Sequence, residues 1–255
     1  MVYKYRHFWE FTQYFIILSK FTQTGFQLMF NIPDITIAID GYSSTGKSSF
    51  AKIIADEFSF QYLDSGALYR GITLLAMEKG IIGADNAINV PKLERELENL
   101  DLHFGNGGTY IGDRCIEAEI RSLSVAEKVS PIAAIPQVRS FVDRKLREFG
   151  SGGRVVMDGR DIGTTVFPDA EIKIFMTADP MVRATRRTAE MRAKGISADL
   201  NEVLRNLQER DRIDSSRESS PLSKADDAIV LDNSDMTMEQ QMSWLKKIIS
   251  EKFGS

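Results

Sequence analysis

The sequence contains very few of the residues that carry thiol, disulfide and zinc chemistry. Its 255 residues include one cysteine, Cys115, and two histidines, His7 and His103. One cysteine excludes an intramolecular disulfide, and together with two histidines it offers too few ligands for a Cys/His zinc site. His103 stands between Leu102 and Phe104, which indicates a strand residue rather than a catalytic base. The composition therefore predicts a protein of the reducing cytoplasm that uses neither thiol nor zinc chemistry.

The chain also has no excess of positive charge. It carries 32 Lys and Arg against 36 Asp and Glu, which gives a formal net charge of -4. Proteins that bind nucleic acid mainly by electrostatics are usually basic, so we expect no nucleic-acid partner. A hydrophobic content of 43% is typical of a globular protein. No repeat or Pro/Gly-rich linker divides the chain, and we expect it to act as a monomer.

The first 34 residues differ from the rest because they are rich in aromatic side chains. Glu10 and other polar residues interrupt the apolar stretch, so it is too short for a membrane span of about 20 apolar residues. No small-residue cleavage site follows it, as a signal peptide would require. Two interpretations stay open, a helix lying on a membrane surface or an extension produced by an upstream mis-start, with Met29 as the true start. We favour the second, and expect no membrane partner and a domain beginning at residue 35.

Short apolar runs alternate with helical patterns along residues 35–255. Five runs predict strands, at 35–39, 60–63, 155–157, 171–176 and 228–231. Strands that alternate with helices predict a mostly parallel sheet covered on both faces, which is an α/β fold. Between them, Asn106-Gly107-Gly108 predicts a small hairpin within 102–120. The hairpin and its neighbouring helices interrupt the alternation, so we interpret them as an insertion that closes over a ligand.

A phosphate-binding loop follows the first predicted strand. The pattern G-x-x-x-x-G-K-[ST] is matched in full by Gly41, Tyr42, Ser43, Ser44, Thr45, Gly46, Lys47 and Ser48. Backbone N–H groups of such a loop point at phosphate oxygens, and the N-terminus of the following helix adds positive potential. Lys47 can reach the β and γ phosphates, and the Ser48 hydroxyl can bind Mg²⁺. We expect these eight residues and Ser49 to bind ATP.

The phosphate loop alone does not define the reaction, because GTPases and kinases share it. The Asn-Lys-x-Asp motif of GTPases is missing, so the second substrate must be inferred from other motifs. They are Asp64-Ser65-Gly66-Ala67-Leu68-Tyr69-Arg70, Glu119-Ile120-Arg121, Asp158-Gly159-Arg160-Asp161-Ile162-Gly163-Thr164, Pro168-Asp169-Ala170 and Glu209-Arg210-Asp211. In this order, the motifs closely resemble those of the bacterial cytidylate kinases. The resemblance implies a P-loop kinase three-layer fold with a five-stranded, mostly parallel sheet, an acceptor-binding insertion at about 64–139 and a short lid at about 183–196. It also implies transfer of the γ-phosphoryl group of ATP, with Mg²⁺, to CMP or dCMP.

The same resemblance implies an acceptor site assembled from distant parts of the chain. By motif position its residues are Ser65, Tyr69, Arg70, Ser130, Arg139, Arg160, Asp161, Asp214 and Arg217. Arg70 offers a planar fork to a monophosphate, and Asp161 can accept a hydrogen bond from the cytosine amino group. For Tyr69 the alternative is ordinary helix packing. For Arg139 it is a surface arginine that lies over Val138 and Phe141.

One carboxylate is a candidate for the metal site. Asp158 ends an apolar predicted strand, where α/β sheets usually bind ligands. It resembles the acidic residue that, with Ser48, holds Mg²⁺ directly or through water. The alternative is that the Asp158 motif forms only a strand-to-helix turn.

Arginines on the two long helices that follow are candidates for catalysis. Arg183, Arg186 and Arg187 are spaced i, i+3 and i+4, so they share one helix face, and Arg210 follows on the next helix. We expect Lys47, Arg183, Arg187 and Arg210 to stabilise the charge on the transferring phosphoryl group. The alternative is that some of these arginines make surface ion pairs with glutamates on the same helices.

Two other functions agree with parts of the sequence. A P-loop kinase for another acceptor, such as UMP, AMP, dTMP or shikimate, would keep the phosphate loop and the lid. A P-loop ATPase or nucleotide-dependent binding module would keep the loop alone. The ordered motifs favour the kinase acting on CMP.

Overall fold

A computed structural model of the chain describes residues 32–83, 85–105 and 108–254. Most of the predicted N-terminal extension, residues 1–31, lies outside the described residues, as do two residues of the predicted hairpin turn, 106 and 107. Within the described ranges, no helix combines the length and the apolar character needed for a membrane span.

Strands and helices alternate along most of the chain, as predicted. The strands are β1 (Thr36–Gly41), β2 (Gln61–Asp64), β3 (Leu102–Gly105), β4 (Gly108–Ile111), β5 (Arg114–Cys115), β6 (Val155–Asp158), β7 (Ile172–Thr177) and β8 (Ile229–Asp232). The α-helices are α1 (Lys47–Phe58), α2 (Ser65–Glu78), α3 (Val90–Glu98), α4 (Leu123–Ala133), α5 (Pro136–Gly150), α6 (Pro180–Ala193), α7 (Leu200–Ser216) and α8 (Met238–Phe253). A short 3₁₀ helix covers Glu119–Arg121, and a π-helical turn covers Ile162–Val166.

The central sheet has five parallel strands in the order β2-β6-β1-β7-β8, which confirms the predicted parallel sheet. β1 lies in the middle and pairs with β6 on one side and β7 on the other. Because all five strands run the same way, their carboxyl ends meet at one edge. The phosphate loop follows β1 at that edge, and Asp64 and Asp158 end β2 and β6 beside it.

Alternate residues of β1 supply two separate cores, one on each face of the sheet. Ile37 and Ile39 pack on the face covered by α1 and α8, together with Phe50 and Leu245. Ala38 faces the opposite side, where α2, α4 and α5 supply many of the apolar residues of the second core. A strand buried on both faces is apolar throughout, which explains why the sequence shows a continuous apolar run rather than an alternating one.

The insertion between β2 and β6 contains a small antiparallel sheet in the order β3-β4-β5. The predicted hairpin corresponds to β3 and β4, and His103 lies in β3 as expected. The sequence did not predict β5, because two residues are too few to show an alternating pattern. Helix α2 begins at Ser65, where Asp64 Oδ1 accepts a hydrogen bond from the Ala67 N–H and caps the helix.

The residues predicted to form the lid, at about 183–196, cover most of α6 and the three residues after it. Asp179 caps the start of α6, where Pro180 occupies the first turn, and Asp199 caps α7. The two helices pack against each other around Ala184 and Leu207, in a small apolar cluster separate from the two large cores. The apolar packing between α6 and α7 is thus separate from the two large cores.

Replacement of Leu245 tests the core on the α1 and α8 face. Leu245 is 0% exposed, so Leu245→Ala should lower the free energy of unfolding by about 2–5 kcal/mol through lost apolar burial and a cavity. Ser243→Ala, at an exposed position of the same helix, should change it by less than about 0.5 kcal/mol. Urea unfolding followed by circular dichroism measures both variants. Equal losses would contradict the packing described.

Candidate active site

A cleft of about 480 Å³ opens at the carboxyl ends of β1, β2 and β6. The predicted site residues that line it are Ser43, Ser44, Gly46, Lys47, Ser48, Ser49, Ser65, Tyr69, Arg70, Ser130, Arg139, Asp158, Arg160, Asp161, Arg187, Arg210, Asp214 and Arg217. Four predicted site residues do not line this cleft, namely Gly41, Tyr42, Thr45 and Arg183. The fold thus brings together side chains from the phosphate loop, the insertion and both lid helices.

The phosphate loop begins at a position that only glycine can occupy. Gly41 has φ +139°, and a Cβ atom there would lie 2.0 Å from the Met176 carbonyl oxygen of β7. Lys47 lies across the loop and donates to the Tyr42 carbonyl oxygen at 2.5 Å and to Thr45 Oγ1 at 3.4 Å. The loop therefore curls around its own lysine.

The electrostatic setting of Lys47 favours an anion nearby. Burial, with a smaller contribution from Arg160, lowers the pKa of Lys47 well below its ordinary value. Asp158, Asp40 and Asp214 act in the opposite direction but do not cancel the effect of burial. A bound phosphate would add negative charge and stabilise the ammonium form.

Asp158 is held by hydroxyl groups from two sides. Ser48 Oγ donates to Asp158 Oδ2 at 2.9 Å, and Tyr62 Oη donates to Asp158 Oδ1 at 2.7 Å. Burial and the nearby Asp64 raise the pKa of Asp158, while Lys47 and the two hydroxyl groups oppose that rise. A hydroxyl and a carboxylate this close together offer the oxygen donors that Mg²⁺ prefers.

At the other end of the cleft, Asp161 joins two arginines. Arg139 Nη2 donates to Asp161 Oδ2, and Arg217 Nη2 donates to Oδ1 at 3.4 Å. Arg139 is 1% exposed, so the alternative of a surface arginine is wrong. Its guanidinium carbon lies 5.3 Å from the centroid of the Tyr69 ring, within range of a cation–π contact. Arg139 Nε has no hydrogen-bond partner among the described residues.

Arg160 connects this end of the cleft to the phosphate loop. Its Nε donates to Asp214 Oδ2 at 2.9 Å, and its Nη2 donates to Ser43 Oγ at 2.8 Å. The alternative interpretation of Asp158-Gly-Arg160-Asp161 as a turn alone is therefore incomplete, because each of its charged side chains has a defined partner in the cleft. Asp158 and Arg160 contact serines of the phosphate loop, and Asp161 contacts Arg139 at the other end of the cleft.

Arg70 is paired on the wall of the cleft. Asp64 Oδ2 accepts from Arg70 Nη2 at 2.8 Å and from Arg121 Nη2 at 3.3 Å. Burial alone would raise the pKa of Asp64, but the two guanidinium groups hold it below its ordinary value. The ionised carboxylate therefore orients both arginines along the cleft.

The candidate catalytic arginines have different surroundings. Arg187 lines the cleft and pairs with Glu190 at 2.8 Å. Arg210 also lines the cleft, but it forms no salt bridge with a described carboxylate, and its Nε has no partner there. Burial and the neighbouring Arg160 lower the pKa of Arg210 to about 10. Arg183 is 4% exposed and its guanidinium contacts Asp211 and the Ser43 carbonyl oxygen instead of the cleft.

A second cavity of about 350 Å³ adjoins the other side of the phosphate loop. Ser44, Thr45 and Gly46 form one wall, and Asn233 and Met236 contribute to the opposite wall. The two cavities share Ser44 and Gly46, so the loop lies between them.

Sequence reasoning missed several residues that shape the site. Tyr62, Asp64, Arg121, Asp211 and Asn233 each bond to a predicted site residue or orient one. Asp64, Arg121 and Asp211 belong to motifs already recognised, which was a usable signal. Tyr62 and Asn233 act through contacts that cross between separate elements, and no local pattern marks them.

Known proteins resemble this chain over nearly its whole domain. A family model described as cytidylate kinase matches residues 37–251. The chain belongs to the cytidylate kinase family. The cytidylate kinase of Parabacteroides distasonis is 48% identical over 227 residues, which cover 87% of this chain and 99% of that relative. The cytidylate kinase of Porphyromonas gingivalis is 47% identical over 228 residues, covering 87% and 98%.

In this member of the cytidylate kinase family, one buried acid lies beside Arg139 without a hydrogen bond to its Oδ1 atom among the described residues. Asp143 Oδ1 lies 4.0 Å from Arg139 Nη2 and has no hydrogen-bond partner among the described residues. Burial and the charge of Asp161 raise the pKa of Asp143 to about 6, although Arg139, Arg147 and Arg217 act in the opposite direction. The folded protein therefore holds this proton more tightly than the unfolded chain does.

The raised pKa predicts a specific pH dependence of stability. The contribution of Asp143 to the free energy of unfolding should be most favourable below about pH 4 and should decline as the pH rises to about 6. The wild type should therefore lose on the order of 1–2 kcal/mol relative to Asp143→Asn across this window. Chemical unfolding of both proteins at a series of pH values measures the difference. A difference independent of pH would contradict the prediction.

Proposed function

We propose that the protein transfers the γ-phosphoryl group of ATP to CMP or dCMP, giving ADP and CDP or dCDP. The observation that carries the proposal is the incompletely compensated positive charge beside the phosphate loop. Arg210 Nε has no hydrogen-bond partner among the described residues, and Asp214 only partly offsets the burial of the Arg210 charge. The carboxylates near Lys47 likewise do not offset its burial in full. Lys47 and Arg210 line the same cleft as Arg70 and Arg160. A buried cation that is not fully paired is costly, so an anionic ligand is the natural occupant.

ATP fits with its phosphates on the loop and its base in the second cavity. Backbone N–H groups of the loop and the N-terminus of α1 favour the phosphates. Met236 and Met238 offer polarizable side chains to the faces of a base in the second cavity. Both cavities are lined by Arg187, so this arginine lies near the point where the donor phosphates enter the main cleft.

CMP fits in the main cleft with its phosphate near Arg70, Arg160 and Arg210. Its base then lies near Ser130 and the Arg139–Asp161 pair. Cytosine presents an amino group that donates beside ring atoms that accept, which matches a carboxylate next to a guanidinium. Uracil would present a carbonyl oxygen to the carboxylate and is disfavoured. The free Nε of Arg139 leaves a donor for such a base.

We further propose that Ser48 and Asp158 hold Mg²⁺, directly or through water. Their 2.9 Å contact brings a hydroxyl and a carboxylate together beside Lys47. In the part of the chain that the structure describes, no three His, Cys, Asp or Glu side chains form a metal cluster. Few protein ligands suit an ion held mainly by nucleotide phosphates and water. Mg²⁺ would neutralise charge on the β and γ phosphate oxygens.

The residues of the cleft act by position and charge. The acceptor phosphate is already an anion, so the transfer requires no strong base, and catalysis comes from alignment and from stabilisation of charge. Arg187 and Arg210 are on different lid helices and reach the cleft from that side. Closure of the lid over both nucleotides would exclude water, which would otherwise accept the phosphoryl group.

A panel of acceptors tests the proposed substrate. With ATP and Mg²⁺, kcat/KM should be higher for CMP and dCMP than for UMP, AMP and dTMP by at least about tenfold, because Asp161 discriminates at the base edge. A coupled assay of ADP formation measures each rate. No preference for the cytosine nucleotides, or ATP turnover that is independent of any monophosphate, would overturn the proposal.

Substitution of Arg210 tests the charge argument. Arg210→Met should lower kcat by about 10³-fold, because a single arginine can be worth that much in phosphoryl transfer. Arg205→Met, at an exposed position of the same helix, should leave kcat within about twofold. Steady-state kinetics at saturating ATP and CMP measure both. A loss confined to KM for CMP would assign Arg210 to acceptor binding alone.

A further inference from the structure

Three arginines share one face of α6, but their guanidinium groups contact three different parts of the structure. Arg187 lines the main cleft. Arg183 and Arg186 instead bond to groups that belong to the phosphate loop or hold it. The i, i+3, i+4 spacing therefore places the arginines together at the helix and separates them at their tips.

Arg183 bonds to the backbone at the start of the phosphate loop. Its Nη1 donates to the Ser43 carbonyl oxygen at 3.2 Å, and its Nε donates to the Ala178 carbonyl oxygen at 3.2 Å. The guanidinium carbon lies 5.3 Å from the centroid of the Tyr42 ring, whose other contact is the edge of Phe175. With 4% exposure, Arg183 is a buried packing and hydrogen-bonding element of the loop.

Asp211 on α7 closes this arrangement from the second lid helix. Its Oδ2 accepts from Arg183 Nη1 at 2.6 Å, and its Oδ1 accepts from the Ser43 N–H at 3.3 Å. Arg183 and Asp211 thus bind both backbone groups of Ser43, the carbonyl oxygen and the N–H. The charge pair neutralises itself, so neither partner requires a phosphate for compensation.

Arg186 reaches the other end of the loop through Asn233. Arg186 Nη1 donates to Asn233 Oδ1 at 3.1 Å, and Nη2 donates to the Asn233 carbonyl oxygen at 2.8 Å. Asn233 Nδ2 in turn donates to the Thr45 carbonyl oxygen at 2.7 Å. Asn233 is buried, and this orientation leaves its amide no freedom to flip.

We propose that Arg183 and Arg186 are positioning residues that fix the two ends of the phosphate loop, so that only Arg187 of the three contacts phosphate. This assignment separates two roles within one helix. The first pair determines the shape of the loop that receives the donor nucleotide. Arg187 acts on the group in transfer. The second role rests on the proposed kinase activity, whereas the first concerns nucleotide binding alone.

Binding of ADP and turnover separate these roles. Arg183→Met should weaken ADP binding by about tenfold, because loss of a buried charge-assisted contact leaves the loop without its first anchor. At saturating ATP its kcat should fall by less than about fivefold, and KM for CMP should stay within about twofold. Arg187→Met should show the opposite pattern, with kcat lower by about 100-fold or more and ADP binding within about threefold. Isothermal titration calorimetry with ADP and steady-state kinetics provide the two measurements.

Two further variants keep the test decisive if Arg183→Met unfolds. Asp211→Asn keeps the size and an acceptor oxygen but removes the ion pair, so it should weaken ADP binding in the same direction by a smaller factor. Met181→Gln, at an exposed position of α6 that precedes the predicted lid, should leave ADP binding and kcat within about twofold.

Two outcomes would overturn the proposal. One is unchanged ADP affinity in both Arg183→Met and Asp211→Asn. The other is a loss of kcat of about 100-fold in Arg183→Met with normal ADP affinity, which would mean that Arg183 contacts the transferring group. Because ADP binding is measured without an acceptor, the positioning role is tested even if the protein does not phosphorylate CMP.

Discussion

Two buried carboxylates around the cleft each bind two arginines, and the placement of those arginines depends on this sharing. Asp64 holds Arg70 and Arg121, while Asp161 holds Arg139 and Arg217. A guanidinium taken out of water is costly unless it is paired and hydrogen-bonded. One carboxylate between two arginines offsets part of the desolvation cost of both guanidinium groups, and it also fixes their relative orientation. The cleft can therefore hold many arginines in defined orientations although the whole chain is slightly acidic.

The sharing leaves positive charge in the cleft beside the phosphate loop. Burial lowers the pKa of both Lys47 in the loop and Arg210 on α7, and both residues line this cleft. The ion pairs farther away, such as Arg183 with Asp211, are neutral by themselves and serve to hold backbone. Position thus separates the arginines that line the cleft, which we propose bind substrate, from those that hold the backbone of the phosphate loop. The family relationship identifies this group of arginines, and their contacts in the structure distinguish one arginine from another.

Local patterns predicted the sheet and the phosphate loop because both depend on neighbours in the sequence. The acceptor residues came from motif order, and the fold brings them to one cleft. Local patterns and motif order could not predict where the guanidinium groups of long arginine side chains lie. Helical spacing placed Arg183 and Arg187 on one face, yet the first turns inward to α7 and the second reaches the cleft. The burial of Arg139 could not be predicted either, because its partner Asp161 lies on another element. Contacts between distant segments decide these cases.

The phosphate loop forms a common wall between the two cavities, and both are bordered by Ser44, Gly46 and Arg187. Two nucleotides seated there would enter by separate openings and approach each other only at their phosphates. A single molecule with an adenosine and a cytidine joined through a polyphosphate chain would fill both cavities at once. Its second half would bind as an intramolecular event, at the high effective concentration set by the short tether. If the two nucleotides bind as proposed, a bivalent ligand of this kind would therefore bind with an affinity well above that of either nucleotide alone.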